Sequence, residues 1–225
     1  MKALDLKALS LRQVNSTLQG ASHRTNWTVK NPMGRHALAV GLNNDVNVII
    51  DGSVGYYCGG MNKKADIVVN GSVGPGVAEN MMSGSLHVKG NASQYAGASA
   101  HGGTLIIEGN SSSRCGISMK GIDIIVRGNV GHMSAFMAQA GNLVICGNAG
   151  DALGDSIYEA NIFVIGTVKS LGADCIEKEV TKSHKALIKK LLIKAKIDNI
   201  GVNEFRRYGS ARSLYNFNVD NAGKY

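Results

Sequence analysis

Seven glycines, Gly52, Gly71, Gly90, Gly109, Gly128, Gly147 and Gly166, stand nineteen residues apart with no slip. Cut at these positions, the chain stacks as GSVGYYCGGMNKKADIVVN, GSVGPGVAENMMSGSLHVK, GNASQYAGASAHGGTLIIE, GNSSSRCGISMKGIDIIVR, GNVGHMSAFMAQAGNLVIC and GNAGDALGDSIYEANIFVI, before a copy that fades, GTVKSLGADCIEKEV. A fixed period of this length marks a repeat architecture. Two positions before each glycine stand Ile50, Val69, Val88, Ile107, Val126, Ile145 and Val164. Two residues earlier again stand Val48, Ile67, Leu86, Leu105, Ile124, Leu143 and Ile162. Alternation by two puts both columns on one face of a short strand, and the aliphatic, largely β-branched side chains suit it.

No helical pattern separates these strands, which excludes a βαβ sheet, whose crossover needs a helix. What remains is an all-β fold, a right-handed parallel β-helix of about seven coils. At ~4.8 Å between strands the stack is roughly 30–35 Å long, with the aliphatic columns inside it. Asn91, Asn110, Asn129 and Asn148 follow four of the glycines. The expectation is that the glycines supply a positive φ at each corner and that the Asn amides bond along the axis as a ladder. The recurrence also removes a phosphate-loop reading. A dinucleotide fingerprint is one glycine-rich turn feeding a helix, with an acidic residue about 20 positions on.

With 29 Gly but only 2 Pro and 44% apolar residues, the composition fits tight turns between apolar strands rather than a collagen or a disordered chain. The net charge of +8 is unevenly placed. Residues 178–225 hold eleven basic and four acidic side chains (+7), and the first 177 hold thirteen and twelve (+1). The opening MKALDLKALSLRQ lacks the apolar core of a secretion signal, and no apolar run reaches the ~18 residues of a membrane span. Cys58, Cys115, Cys146 and Cys175 form neither CxxC pairs nor zinc-finger spacings with histidine. The chain therefore reads as cytoplasmic, reduced and metal-free, without a membrane partner.

The ends of a solenoid need caps. Residues 1–45 read as the N-terminal cap, with a short helix over 10–20, Ser10 as N-cap and Gly20 closing it. Residues 46–178 are the β-helix. Residues 179–225 read as a helix over 181–196, with Thr181 as N-cap and Ala186, Leu187, Leu191 and Ala195 as its apolar positions, followed by a basic and aromatic tail. Arg206, Arg207, Tyr208, Arg212, Tyr215 and Phe217 are of the types enriched at protein interfaces, and are expected to dock a partner; a strand folded back on the solenoid is the alternative. No nucleic-acid motif accompanies them.

No catalytic constellation emerges. His87, His101 and His132 fall in different columns, and Asp151, Asp155 and Glu159 fall on separate stretches of one coil. Asp66 and Asp123 share a column about 14 Å apart, too far for paired-carboxylate chemistry. Cys58 and Cys115 share a column three coils apart, beyond disulfide reach, and read as core filling. No catalytic, cofactor-binding or metal-binding residue is assigned.

The segments GSVGYYCGGMN, GSVGPGVAENMMSG, SSSRCGISMKG, GHMSAFMAQAG, AGDALGDSIYEA and SLGADCIEKEV, over about residues 45–180, with the ending FRRYGSARSLYNF, resemble the GXGXG domain family. That family comprises the C-terminal β-helix domain of the glutamate synthase large chain and stand-alone subunits, including those of N-methylglutamate synthase and formylmethanofuran dehydrogenase. The likeness is greatest to the stand-alone N-methylglutamate synthase type. It implies a non-catalytic structural subunit of a hetero-oligomer. One partner would be a glutaminase-like amidotransferase and another an FMN-binding subunit with an iron–sulfur cluster, both cofactors lying in the partner. The rivals are the GXGXG subunit of an archaeal-type split glutamate synthase or of formylmethanofuran dehydrogenase, and a free-standing polysaccharide-acting β-helix enzyme, which needs clustered carboxylates that the columns do not provide.

Overall fold

The computed structural model of the protein describes residues 2–212. In chain order the elements are β1 (Lys2–Asp5), α1 (Leu11–Gln19), β2 (Thr25–Lys30), β3 (Val46–Asp51), β4 (Asp66–Val69), β5 (Ser85–Val88), β6 (Thr104–Ile107), β7 (Lys120–Val126), β8 (Ala140–Ile145), β9 (Asn161–Val164), β10 (Cys175–Lys178), α2 (Lys182–Lys194) and β11 (Arg206–Ser210). The strands form one sheet in the order β1-β2-β3-β4-β5-β6-β7-β8-β9-β11-β10, parallel from β1 to β9. The fold is a parallel β-solenoid.

Register follows the repeat. Val48, Ile67, Leu86, Leu105, Ile124, Leu143 and Ile162 pair in succession across β3 to β9, and so does the column from Ile50 to Val164. Both columns are buried along their whole length. A second wall is a line of single bridges, Val54–Val73–Ala92–Ser111–Val130–Ala149–Val168. The ladder also extends below the repeat, because β1 and β2 add two further rungs, with Trp27 opposite Val48.

The corner glycines are needed for a different reason from the one expected. Only Gly52 of the seven has a positive φ (+137°). At Gly128 an added Cβ would lie 2.8 Å from Gly109 O, and closer still to Asn110 Oδ1, so the preceding coil leaves no room for a side chain. Positive φ appears instead in the next turn, where every second residue is left-handed: Arg114 (57°), Gly116 (71°) and Ser118 (51°) in one coil. This alternation sends successive N–H groups to opposite neighbours. Arg114 N donates to His132 O in the following coil, Gly116 N to Ala96 O in the preceding one, and Ser118 N to Phe136 O in the following one.

A second apolar layer lies outside the solenoid. Ile106, Ile125, Val144 and Phe163 face outward between the inner columns and are nevertheless buried, packed with Ile188, Leu191, Leu192 and Ala195 of the α2 segment. Thr181 caps α2 as expected, with His184 completing the capping box. The buried stripe is Ile188, Leu191, Leu192 and Ala195, whereas Ala186 is exposed, so the helix is rotated from the apolar face read in the sequence. α1 starts at Ser10 with a capping box to Gln13, and Gly20 closes it at φ −87°. Among the described residues no helix is long and apolar enough to cross a membrane.

Candidate interface at the C-terminal end of the solenoid

Several ionisable side chains of the body have partners within the stack. Asp151 holds Lys169 at 2.7 Å, and Asp155 accepts from Ser156 Oγ at 2.8 Å. Asp66 accepts from Ser85, and Asp123 accepts from Asn142 Nδ2 at 2.7 Å. His87 Nε2 lies 2.8 Å from Glu108 Oε1, a contact rather than an aligned hydrogen bond, and the same carboxylate holds Lys89. Burial, with Lys89 close by, draws the His87 imidazole below its ordinary value. Among the described residues no three His, Cys, Asp or Glu side chains gather where they could hold a metal. The cysteines are free thiols; burial pushes Cys58 up to about 12 and Cys115 to about 11, far from a reactive thiolate.

The asparagine column is real but bonds differently from the expected amide ladder. Asn91 Oδ1 accepts the backbone N–H of Asn110 at 2.8 Å, Asn110 Oδ1 that of Asn129 at 2.8 Å, and Asn129 Oδ1 that of Asn148 at 2.7 Å. Asn148 Oδ1 closes the series on Thr167 N. Each side chain therefore binds the next coil's backbone at the corner where its glycine leaves space. A side-chain ladder does exist within the strands, in the column one residue before Ile124, Leu143 and Ile162. Asn142 Nδ2 donates to Asp123 Oδ1, Asn161 Nδ2 to Asn142 Oδ1 at 3.2 Å, and Arg207 Nε to Asn161 Oδ1 at 2.9 Å. The sequence carried a signal for it, since Asp123, Asn142 and Asn161 keep the nineteen-residue spacing.

That ladder ends at the residues expected to dock a partner. Arg206, Arg207 and Tyr208 are not a loose arm: they belong to β11, which inserts antiparallel between β9 and β10. Strand pairing thus covers the β9 edge and leaves β10 as the last strand of the sheet. Arg212 pairs with Asp174 at 2.7 Å. Tyr215 and Phe217 lie outside the described residues. Two adjoining hollows open here. One, of about 220 Å³, is bounded by Tyr158, Glu159, Lys178, Arg207 and Arg212; the other, of about 270 Å³, by Met137, Ile157, Tyr158, Asp174 and Arg212. Tyr158 and Met137 are exposed there, and Arg212 lines both hollows. Lys178 Nζ donates to Ser210 O at 2.7 Å, which fixes the floor. The hollows present aromatic, thioether and guanidinium groups, Arg207 from β11 and Met137, Tyr158 and Arg212 from turns and loops beside the sheet, residue types that make a contact surface.

No family model matches the chain. Among curated proteins it is similar to "Protein GlxC" of Rhizobium meliloti (strain 1021), 59% identical over 228 residues that cover 100% of both chains. The chain belongs to the GlxC family. The match runs end to end, so it spans the segments that form α1, α2 and β11 here as well as the coils.

Proposed function

We propose that this GlxC-family chain is the structural β-solenoid subunit of a glutamate synthase-like complex of the N-methylglutamate synthase type. It holds a glutaminase-like amidotransferase subunit and an FMN- and iron–sulfur-containing subunit in fixed relation, so that ammonia or methylamine passes between their sites. The observation that carries the reading is the unbroken stack from β3 to β9, whose coils are the segments resembling the GXGXG domain. Such a stack, packed along its interior and capped by α1 and β11, keeps its length and twist under load. Fixed separation is what transfer of a reactive amine between two active sites requires. The hollows around Tyr158, Arg207 and Arg212, with the segment that follows them, are the proposed docking point for one partner.

The test is purification of the tagged full-length chain from its own host, with the companions identified by mass spectrometry. An amidotransferase-like and a flavin-containing iron–sulfur subunit in constant ratio support the reading. A monomer free of both, or turnover of a polysaccharide by the isolated chain, would refute it.

A further inference from the structure

The buried face of α2 is spent on the solenoid, and its opposite face is left to solvent. That outer face carries Lys182, Lys189 and Lys190, with Ala186 and Ile193 between them, and Lys185 and Lys194 at the margins. Ile193 is 67% exposed, while its neighbours Leu191 and Leu192 are buried. Residues 182–197 contain six lysines and no acidic side chain. Lys182, Lys185, Lys189 and Lys190 make no ion pair among the described residues. Lysine repulsion along one helix face is destabilising unless something opposite neutralises it.

We infer that this face of α2 is a second docking surface and that its occupant is a carboxylate-rich surface of a partner protein. An exposed isoleucine ringed by charge has the anatomy of an interface, an apolar centre within a polar rim, and the sign of the rim selects an acidic counterpart. A second copy of the chain does not fit, because it would set lysine against lysine. A membrane does not fit either, since the apolar stripe that would enter it is already buried against Ile125, Val144 and Phe163. Nucleic acid is the weaker match, because the face has no arginine and no aromatic ring to stack on bases. The inference rests on the proposed membership of a hetero-complex and adds to it a surface distinct from the groove at Arg212.

The test uses the full-length complex purified as above. A zero-length amine-to-carboxyl cross-linker should join Lys182, Lys189 or Lys190 to Asp or Glu of an identified partner subunit. The charge-reversed variant K182E/K189E/K190E, and separately I193E, should weaken that partner's binding roughly tenfold or more, with a reduced salt dependence for the triple variant. Unchanged circular dichroism would show that the variants fold. If the complex assembles with unaltered affinity and these lysines cross-link to nothing, the inference falls while the proposed function stands. If no companion subunit is recovered, both fall. Binding of a 30-mer DNA or of phosphatidylserine vesicles, abolished by the triple variant in place of any protein contact, would overturn the assignment of the occupant.

Discussion

The side chain of Asn15 on α1 bonds to Ala39 as a coil would: its Oδ1 accepts the Ala39 N–H at 2.8 Å, and its Nδ2 donates to Ala37 O at 2.8 Å. Both alanines are left-handed (φ 57° and 51°) and begin the stack of alternating turns. One amide thus satisfies the donor and the acceptor that the missing lower coil would have met, and Gln19 Nε2 does the same for Val40 O. An exposed end of a solenoid becomes a closed one.

Asn15→Leu should therefore destabilise the protein by about 1–3 kcal/mol, the cost of leaving partly buried backbone groups unpaired. Chemical denaturation measures it. Asn15→Asp keeps the acceptor but loses the donor, and should fall between wild type and Asn15→Leu.

Gly128 and Gly116 are predicted to respond differently to alanine. At Gly128 the new Cβ meets the backbone of the preceding coil, which cannot yield without shifting a rung, so a loss of about 3 kcal/mol or more is expected. At Gly116 the nearest atom is Met119 Sδ at 3.2 Å, a flexible neighbour, and the cost is that of a left-handed alanine, about 1–2 kcal/mol. Ala78 and Ala135 hold the equivalent conformation in other coils. Equal losses at both sites would show that backbone conformation, not space, governs the corner column.

The interior was legible because burial on a solenoid enforces a period: Val48 to Ile162 and Ile50 to Val164 are repeated constraints, and each copy reinforces the inference. What lay outside the period was hidden. Asn15 occurs once, and nothing in its neighbours marks it as a substitute rung. The pairing of β11 between β9 and β10 joins segments from 29 (Lys178 and Arg207) to 46 (Ile162 and Tyr208) residues apart and runs antiparallel to both neighbours, which no local pattern encodes. Tyr57, Arg114 and Met133 adopt positive φ although their side chains have no preference for it, because hydrogen bonds to both neighbouring coils override local propensity. The runs LII, IIV, LVI and IFV showed apolar residues on both strand faces, the sign of burial on both sides, and it is α2 that supplies the second cover.

His184 makes stability depend on pH. Its Nδ1 accepts the Thr181 N–H at 3.2 Å, which requires the neutral ring. Burial, then the Arg207 charge, lowers its pKa below the ordinary 6.5. A depressed histidine contributes stability that is complete above the unfolded value and is lost as pH falls through the folded one. The thermal midpoint should thus fall between about pH 7.5 and 5.5. His184→Gln retains a capping side chain and should flatten part of that dependence; the remainder belongs to His87, which is depressed in the same direction. An unchanged slope in His184→Gln would refute the role of the cap.

Asn129 separates the two ways in which a column of amides can bond. Because its Oδ1 accepts from Asn148 N, Asn129→Asp preserves the interaction and should be near neutral at pH 7. Asn129→Ala should cost about 1 kcal/mol. Had the amides bonded to each other, aspartate would lose the donor and both variants would be destabilised alike. Parallel denaturation curves decide between the two.

Truncation after Lys178 would test the C-terminal region most severely. It removes α2 and β11, uncovering Ile106, Ile125, Val144 and Phe163 and leaving the β9 edge unpaired. Burial of one such side chain contributes about 1.5–3 kcal/mol, so the loss is comparable with the whole stability of an ordinary domain. The shortened chain is expected to aggregate rather than persist as a folded solenoid, and light scattering with far-ultraviolet circular dichroism would detect it. Truncation after Arg212 keeps every element described, including the Arg212–Asp174 pair, and should leave the melting transition in place. Comparison of the two separates the region's part in closing the fold from its proposed part in docking: a folded 1–178 fragment would contradict the first, and undiminished partner binding by the 1–212 chain would move the docking contact off the last thirteen residues.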